Sequence, residues 1–139
     1  MNIRKIEGKD FEIINKLYKK LYKPDEPDVD LVGKKINAEM ISLLIEEDRK
    51  IIGFISGTVV NYSTKIEGQI WDLMVDENYR RKGYGRKLVQ EFEEIAVKLG
   101  ATYMMVWTDP SPDEEDPTLF YEKSGYHKLK HSILTKKLE

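Results

Sequence analysis

The segment Val75-Asp76-Glu77-Asn78-Tyr79-Arg80-Arg81-Lys82-Gly83-Tyr84-Gly85-Arg86 decides how the rest of the chain is interpreted. The apolar run before it, residues 69–75 (QIWDLMV), predicts a strand, and an amphipathic helix is predicted after it over residues 86–99. Successive backbone N–H groups at the start of a helix can bind an anion, and glycine lets a phosphate group come close to the backbone. The order of strand, glycine-containing turn and helix therefore indicates a phosphate-binding loop.

Basic side chains are concentrated in this loop. Five of the eight residues in 80–87 are basic, and they include three of the five arginines of the chain. The whole chain carries a net charge of only −2, from 23 basic and 25 acidic residues. A local polyanion, such as the phosphates of a cofactor, therefore fits the loop better than a nucleic acid does. The glycines and charges alone are equally compatible with an ordinary charged strand–helix turn.

Several other classes of site do not match the sequence. A Walker A motif is absent, and Gly83-Tyr84-Gly85 is followed by Arg-Lys-Leu where a dinucleotide-binding fingerprint has its third glycine. The chain has no cysteine and only two histidines, which excludes disulfides, zinc–thiolate sites and a three-histidine metal site. We therefore expect no metal.

The hydrophobic pattern predicts the order β–α–α–β–β–β–α–β–α–β–β. The predicted helices cover residues 11–22, 29–38, 86–99 and 117–123, and the predicted strands cover 2–6, 40–46, 51–60, 69–75, 102–108 and two segments within 126–138. Asp10 is predicted to cap the first helix, and a turn is predicted around Lys65–Gly68. This order predicts a mixed α/β fold whose sheet, of about seven strands, has about four helices on its two faces. At 139 residues, without a long linker, the chain is predicted to be one domain, 1–139.

The sequence lacks the signals of membrane insertion and secretion. No stretch approaches the roughly 20 apolar residues of a membrane span. Charges run through the N-terminal segment MNIRKIEGKDFEII, which does not have the apolar core of a signal peptide. We therefore expect a soluble, cytoplasmic protein with neither a membrane nor a nucleic acid as partner.

Two motifs together resemble the GNAT superfamily of N-acetyltransferases. Residues 80–85 (RRKGYG) match the family motif [Q/R]-x-x-G-x-[G/A] after a strand that ends in Leu73-Met74-Val75. Residues 120–126 (FYEKSGY) match an aromatic-Tyr-Glu-Lys-x-Gly-aromatic run near the C-terminus of family members. One long helix and one strand are predicted between the motifs, as in the family, and the resemblance covers residues 2–138.

The resemblance implies acetyl-CoA as the acetyl donor and the mostly antiparallel GNAT sheet. In that sheet the fourth and fifth strands, here 69–75 and 102–108, splay apart, and pantetheine lies in the gap. The resemblance implies that the backbone of Leu73, Met74 and Val75 binds pantetheine, and that the Val75 N–H polarises the thioester carbonyl. The implied pyrophosphate-binding residues are Arg80, Arg81, Lys82, Gly83, Tyr84, Gly85 and Arg86.

Acyl transfer to an amine needs a proton acceptor for the amine and a proton donor for the leaving thiolate. Tyr121 matches the family's general acid, although without the family a tyrosine on a short helix indicates packing. Asp72 on the central strand and Asp109 at the end of the next strand are the candidate bases, and Glu67 is a further one. Each of these carboxylates is also explained by exposure to solvent.

The acidic residues suggest the charge of the acceptor. They cluster in residues 25–30 and 109–116, and a site mouth of this charge would attract a cationic amine, such as a polyamine, an aminoglycoside, or a protein lysine or N-terminus. Two solvated loops explain the same clusters. Trp71, Trp107 and Tyr62 either line such a pocket or belong to the core. Glu114 and Pro117 depart from the asparagine and alanine of many family members, so we assign no cofactor contact to the loop 109–116.

The function predicted from the sequence is N-acetyl transfer from acetyl-CoA to a primary amine. The alternative is a non-catalytic CoA-binding or regulatory module that keeps the phosphate-binding loop. A nucleic-acid-binding protein is a third reading, which the near-neutral charge disfavours. Because dimers are frequent in the family, a homodimer is one option for the assembly.

Overall fold

The computed structural model describes residues 1–21, 38–108, 117–130 and 134–138. Two compact units are present, Met1–Trp107 and Thr108–Glu139, and each is described by itself. None of the helices in the described ranges is long and apolar enough to cross a lipid bilayer.

The first unit is built on one sheet. Its strands are β1 (Asn2–Lys5), β2 (Ala38–Glu47), β3 (Lys50–Asn61), β4 (Ile66–Val75) and β5 (Tyr103–Val106). They lie in the order β1-β2-β3-β4-β5, in which β1 to β4 are antiparallel and β5 runs parallel to β4. The predicted mixed, mostly antiparallel sheet is thus confirmed.

Two tight turns set the register of the central strands. Asp48 and Arg49 both have positive φ, 51° and 64°, as a two-residue type I′ turn between β2 and β3 requires. The next turn closes where the Tyr62 N–H donates to the Lys65 carbonyl oxygen at 2.8 Å. The strand β4 therefore starts at Ile66, three residues before the predicted start at residue 69, and the turn predicted around 65–68 lies at residues 62–65.

A helix packs on each face of the sheet. The first helix, α1 (Phe11–Leu21), buries Ile14 and Leu17 against Leu44, Phe54 and Met74. We call this side of the sheet the α1 face.

The second helix, α2 (Tyr84–Lys98), covers the opposite face through Leu88, Val89, Phe92 and Ala96. It lies close to the sheet because glycines face it: a Cβ on Gly57 would be 2.8 Å from the Phe92 ring, and one on Gly68 would be 3.2 Å from the Ala96 Cβ. Leu99, the last residue of the predicted helix 86–99, is 37% exposed, since it lies at the C-cap where the helix ends.

The second unit contains one described helix, α3 (Pro117–Lys123), as predicted. The two strands predicted within 126–138 are wrong for the described parts of that range, 126–130 and 134–138. Leu129 and Leu134 are exposed there, and an apolar alternation forms a strand only when a partner strand pairs with it and buries one side. The helix predicted over 29–38 lies outside the described residues, apart from Ala38 in β2.

The numbers of strands and helices therefore differ from the predicted numbers. In the described part of the chain the sheet has five strands, not about seven, and there are three α-helices, not about four.

A partly buried ion pair ties β1 to the start of α1. Two nitrogens of the Arg4 guanidinium donate to the two oxygens of Asp10 at 2.8 and 2.9 Å, and the Glu7 N–H donates to Asp10 at 2.8 Å. Arg4 also donates to Glu46 in β2. Asp10 ends a 3₁₀ turn, Gly8–Asp10, whose N-cap is Glu7, so the prediction of Asp10 as N-cap is wrong in position. The hydrogen bonds from Arg4 hold the pKa of Asp10 below its ordinary value.

We expect Asp10→Asn to lower the free energy of unfolding by about 2 kcal/mol at pH 7, because Arg4 loses one of its two charged partners and keeps only Glu46. A depressed folded-state pKa stabilises the protein above the unfolded pKa of about 4, and the stability is lost as the pH falls below it. Urea unfolding at several pH values should therefore show a shallower acid dependence for the variant. Glu12→Gln, which removes an exposed pair with Lys16 from the same helix, is the control and should change stability little. Equal acid dependence of Asp10→Asn and wild type would contradict this role.

Candidate active site

The strand β4 contains a β-bulge at Trp71. Asp72 pairs with Ser56 of β3 and Ile70 pairs with Gly57, so Trp71 is an extra residue without a partner on β3. The pairing of β4 with β5 runs from Glu67 to Ile70, and β4 then continues to Val75. The bulge therefore lies at the point where the ladder between β4 and β5 ends.

Past the bulge, the backbone of β4 alternates between its two neighbours. The Asp76 N–H donates to the Ile52 carbonyl oxygen at 2.7 Å. Because alternate residues of an antiparallel strand bond to the same neighbour, the backbone groups of Met74 also point to β3. Those of Leu73 and Val75 point to the side of β5, where the Val75 oxygen accepts from the Arg80 Nε at 3.1 Å.

Because of this alternation, only two of the three residues predicted to bind a ligand through their backbone point towards the open edge of β4. The N–H groups of Leu73 and Val75 lie on the edge beyond the end of the β5 ladder and can donate to an extended ligand placed there. Met74 uses its backbone towards β3 and buries its side chain against α1.

The predicted phosphate-binding loop forms an open helix start. Asp76 accepts from the Asn78 N–H at 3.0 Å and so starts the 3₁₀ turn Glu77–Tyr79. Arg81 and Gly83 follow with φ of 63° and 85°, and α2 begins at Tyr84, two residues before the predicted start. The Lys87 N–H donates to the Gly83 oxygen at 3.1 Å, so the amides of residues 84–86 have no acceptor inside the helix.

Gly83 lies at an open point of this helix start. A Cβ built on Gly83 would have no atom within 4 Å. Three amides in succession, an open approach and the basic side chains of residues 80–87 together suit a diphosphate.

Tyr79 and Tyr84 make side-chain contacts around the loop. The ammonium groups of Lys50 and Lys82 lie 5.3 and 5.6 Å from the centre of the Tyr79 ring. The Tyr84 hydroxyl donates to Glu47 at the end of β2, and this hydrogen bond raises the pKa of Tyr84. Lys50 was not predicted, because it comes from the start of β3 and no local pattern connects it with the loop.

The bulge places a carboxylate on the α1 face. Asp72 lies on that face beside the buried Ser56, whose Oγ donates to the Asp72 Oδ2 at 3.4 Å. Burial raises the pKa of Asp72, and the hydrogen bond from Ser56 partly opposes that rise. A carboxylate whose pKa is raised towards neutrality is suited to accept a proton.

The other predicted acid–base residues belong to two different elements, β4 and α3, or are outside the described residues. Glu67 is near the start of β4, only 4% exposed. Tyr121 is buried on α3 in the second unit, where its ring meets those of Phe120 and Tyr126 edge to face, with centroids 5.0 and 5.4 Å away. Asp109 lies outside the described residues, as do Glu114 and the two acidic clusters at 25–30 and 109–116.

Three aromatic residues that could have lined a pocket or belonged to the core are too exposed to be core residues. Tyr62, Trp71 and Trp107 are 47%, 49% and 71% exposed. In the described ranges no group of three or more histidine, aspartate or glutamate residues is placed to hold a metal ion.

Several solved structures share this fold. The aminoglycoside N-acetyltransferase AAC(6′)-Iy in complex with CoA has a TM-score of 0.76 and 18% identity, and the match covers 99% of both chains. A transcriptional regulator from Bacillus halodurans has a TM-score of 0.77 and 21% identity, again over 99% of both chains. An aminoglycoside acetyltransferase from an uncultured soil metagenomic sample, in complex with sisomicin, has a TM-score of 0.72 and 20% identity over 98% of this chain and 96% of that one.

No curated protein sequence matches the chain. The family model described as "Acetyltransferase (GNAT) family" matches residues 4–126, which include the loop over the start of α2 and the aromatic segment around Tyr121. The chain therefore belongs to the GNAT acetyltransferase family.

Proposed function

We propose that this protein is an N-acetyltransferase that moves an acetyl group from acetyl-CoA directly to a primary amine. One observation carries the proposal: backbone N–H groups without a partner among the described residues continue from Leu73 and Val75, on the edge of β4, to the start of α2. Membership of the GNAT family supports an acyltransferase. Similar folds have been crystallised with CoA and with a bisubstrate analogue of CoA, which supports the donor.

The described residues fit the parts of this donor. The amides of residues 84–86 would bind the pyrophosphate in the open space over Gly83, and the basic side chains of Arg80, Arg81, Lys82 and Arg86 would balance its charge. The Leu73 N–H would bind the pantetheine as a neighbouring strand would, which leaves the Val75 N–H for the thioester. Acetyl-CoA supplies an acyl group with a good leaving group, the CoA thiolate.

The Val75 N–H has a further role in this scheme. It would donate to the thioester carbonyl oxygen, on which negative charge develops when the amine attacks. The strand holds this N–H in place before the reaction, so no reorganisation is needed at that step.

Asp72 is the proposed proton acceptor, directly or through a water molecule. A lysine-like amine has a pKa near 10.4, so it arrives mostly protonated and must lose a proton before it attacks. The raised pKa of Asp72 brings this carboxyl closer to the pH at which it would work. Asp109, which the structure does not describe, stays the other candidate.

Tyr121 is the proposed proton donor. In the transfer step the amine nitrogen bonds to the carbonyl carbon and the C–S bond breaks. The thiolate takes the phenolic proton of Tyr121, and the second proton that the amine nitrogen releases on becoming an amide restores the phenol. A phenol with a reference pKa near 10 is protonated at neutral pH and can donate. The match of residues 120–126 to the family motif supports this role.

A non-catalytic CoA-binding or regulatory module is the second candidate. The transcriptional regulator from Bacillus halodurans, whose fold is equally similar, favours it. Thiol release from acetyl-CoA in the presence of a panel of amines separates the two, because the second candidate binds CoA without turnover. The panel includes polyamines, aminoglycosides, and lysine and N-terminal peptides.

We expect Gly83→Ala to weaken CoA binding about tenfold, because a Cβ would occupy the open space that the phosphate needs. Calorimetry measures this directly. The matched control is Gly100→Ala at the other end of α2, where φ is 96° and the added Cβ meets only the end of the Ile66 side chain, at 3.0 Å. Both variants carry the strain of a left-handed alanine, but the control should bind CoA normally. Equal affinities in the two folded variants would rule out this placement of the phosphates.

We expect Asp72→Asn to lower kcat by at least 100-fold, as is typical for loss of a general base, and to abolish the acid limb of kcat/KM against pH. Ser56→Ala should keep most activity but move that limb to higher pH, because the hydrogen bond that lowers the pKa of Asp72 is gone. Ser42→Ala, which changes the residue paired with Ser56 on β2, is the control and should leave the limb in place. If Ser56→Ala leaves the acid limb unchanged, a group other than Asp72 is the base.

We expect Tyr121→Phe to lower kcat by roughly 10- to 1,000-fold, since water can partly replace the phenol as proton donor. Affinity for acetyl-CoA should change little, because the proton is transferred only in the transition state. Tyr126→Phe removes a hydroxyl from the ring that packs against Tyr121 and is the matched control. Rates should be measured by single turnover, so that chemistry limits them. Near-wild-type turnover of Tyr121→Phe would show that this tyrosine serves in packing and that another group donates the proton.

A further inference from the structure

A cluster of polar and aromatic side chains lies at the end of the sheet where β3 turns into β4. We call it the acidic–aromatic corner, and its residues are Tyr62, Lys65, Glu67, Gln69 and Tyr103. Gln69 pairs with Thr58, and Glu67 is paired with both Val60 and Tyr103. This register places Glu67, Gln69 and Tyr103 on the α1 face of the sheet, and the bulge at Trp71 brings Asp72 to that same face.

Glu67 is a buried carboxylate with unused hydrogen-bonding capacity. Its side chain is 5% exposed, and its Oε1 has no hydrogen-bond partner in the described part of the chain. Its Oε2 lies 3.7 Å from the Lys65 Nζ, which is close enough for an ion pair but too long for a hydrogen bond. Burying a carboxylate without donors costs free energy, so the group is poised to accept from a cation.

The Lys65 ammonium shows what the corner can hold. It lies 4.8 Å from the centre of the Tyr103 ring and 5.7 Å from that of Tyr62, within the range of a cation–π contact. Gln69 donates to the Tyr62 hydroxyl at 3.0 Å and so holds that ring in place. A hydrogen bond with Tyr103, with a further contribution from the Glu67 charge, raises the pKa of Lys65. Two rings and a carboxylate around one ammonium are the chemistry that recognises an alkylammonium group.

Lys65 can give up this position to another ammonium group. Its side chain is 48% exposed, and it stands in the turn that precedes β4, so the long flexible side chain can swing into solvent. A ligand ammonium that takes its place would keep the buried Glu67 carboxylate paired.

We propose that the acidic–aromatic corner binds a second ammonium group of the acceptor, and that Lys65 fills this position in the free protein. The inference rests on the proposed transfer to an amine and names the acceptor class. From Glu67 to Asp72 the strand spans roughly 15 Å at the usual rise per residue. The acceptor is then a linear diamine or polyamine, with one amine at Asp72 and another at the corner.

The test compares binding of α,ω-diaminodecane and n-decylamine, two probes of equal chain length that differ in the second amine. Calorimetry on the wild type should give at least tenfold tighter binding of the diamine. Lys65→Ala should tighten the diamine several-fold and leave the monoamine unchanged, because the competing ammonium is gone. Glu67→Gln should remove the preference for the diamine. Lys16→Ala, which breaks an exposed lysine–glutamate pair on α1, is the control and should change neither affinity.

A second variant protects the test against misfolding. If Glu67→Gln does not fold, Tyr103→Leu removes one ring and should weaken the diamine about two- to fivefold, as loss of a cation–π contact implies. A purely structural Lys65–Glu67 pair predicts lower melting temperatures for both variants with an unchanged ratio of the two affinities, and this result would overturn the inference.

Because binding needs no turnover, the two proposals can fail separately. Acetylation of amines together with equal binding of both probes would overturn the subsite and leave the proposed function. A diamine preference that responds to Lys65→Ala and Glu67→Gln in opposite directions, without acetylation of any amine, would support the subsite and overturn the proposed function.

Discussion

The backbone groups that β4 cannot pair with β5 are the constraint on which the site depends. The ladder between these strands ends at Ile70 and Val106, while β4 goes on to Val75. The N–H and C=O groups of Leu73 and Val75 point to that side and need partners other than β5, since backbone groups left without a partner are costly. An extended ligand meets this need through the backbone alone, so the side chain of Met74, between them, remains free to pack in the core.

The bulge at Trp71 lets β4 contribute to both proposed substrate sites. In a regular strand Asp72 would share a face with Ile70 and Gly68, which α2 covers. The extra residue turns Asp72 to the α1 face, beside Ser56, and in line with Glu67 and Gln69 further along the strand. In the scheme proposed here, the edge of β4 binds the acyl donor while its α1 face binds the acceptor. One strand thereby aligns both substrates.

The open start of α2 completes the donor side. Gly83 ends the turn in a left-handed conformation, and a Cβ built on it would have no described atom within 4 Å apart from its chain neighbours. The Tyr84 hydroxyl donates to Glu47. Tyr79 keeps two lysines near the turn. The positive charge is therefore local, and the chain as a whole stays close to neutral, which limits binding of other polyanions.

The sequence by itself determined the features that depend on neighbours along the chain. The strand, glycine turn and helix over residues 69–99 were predictable because apolar periodicity and glycine act locally, and the two family motifs identified the family. The helix start at Tyr84 was missed by two residues, because the buried positions of α2 begin only at Leu88. The strands predicted near the C-terminus failed because alternation specifies a strand only where a partner exists.

Only the tertiary structure decided which side each group faces. The bulge at Trp71 has no local signal, since it is defined by the register of β4 against β3. The same register selects Leu73 and Val75 over Met74 and brings Asp72 to Ser56. The acidic–aromatic corner combines a turn with residues of β4 and β5 that are far apart in sequence. Strand pairing is a contact between distant segments, and no pattern within one segment can specify it.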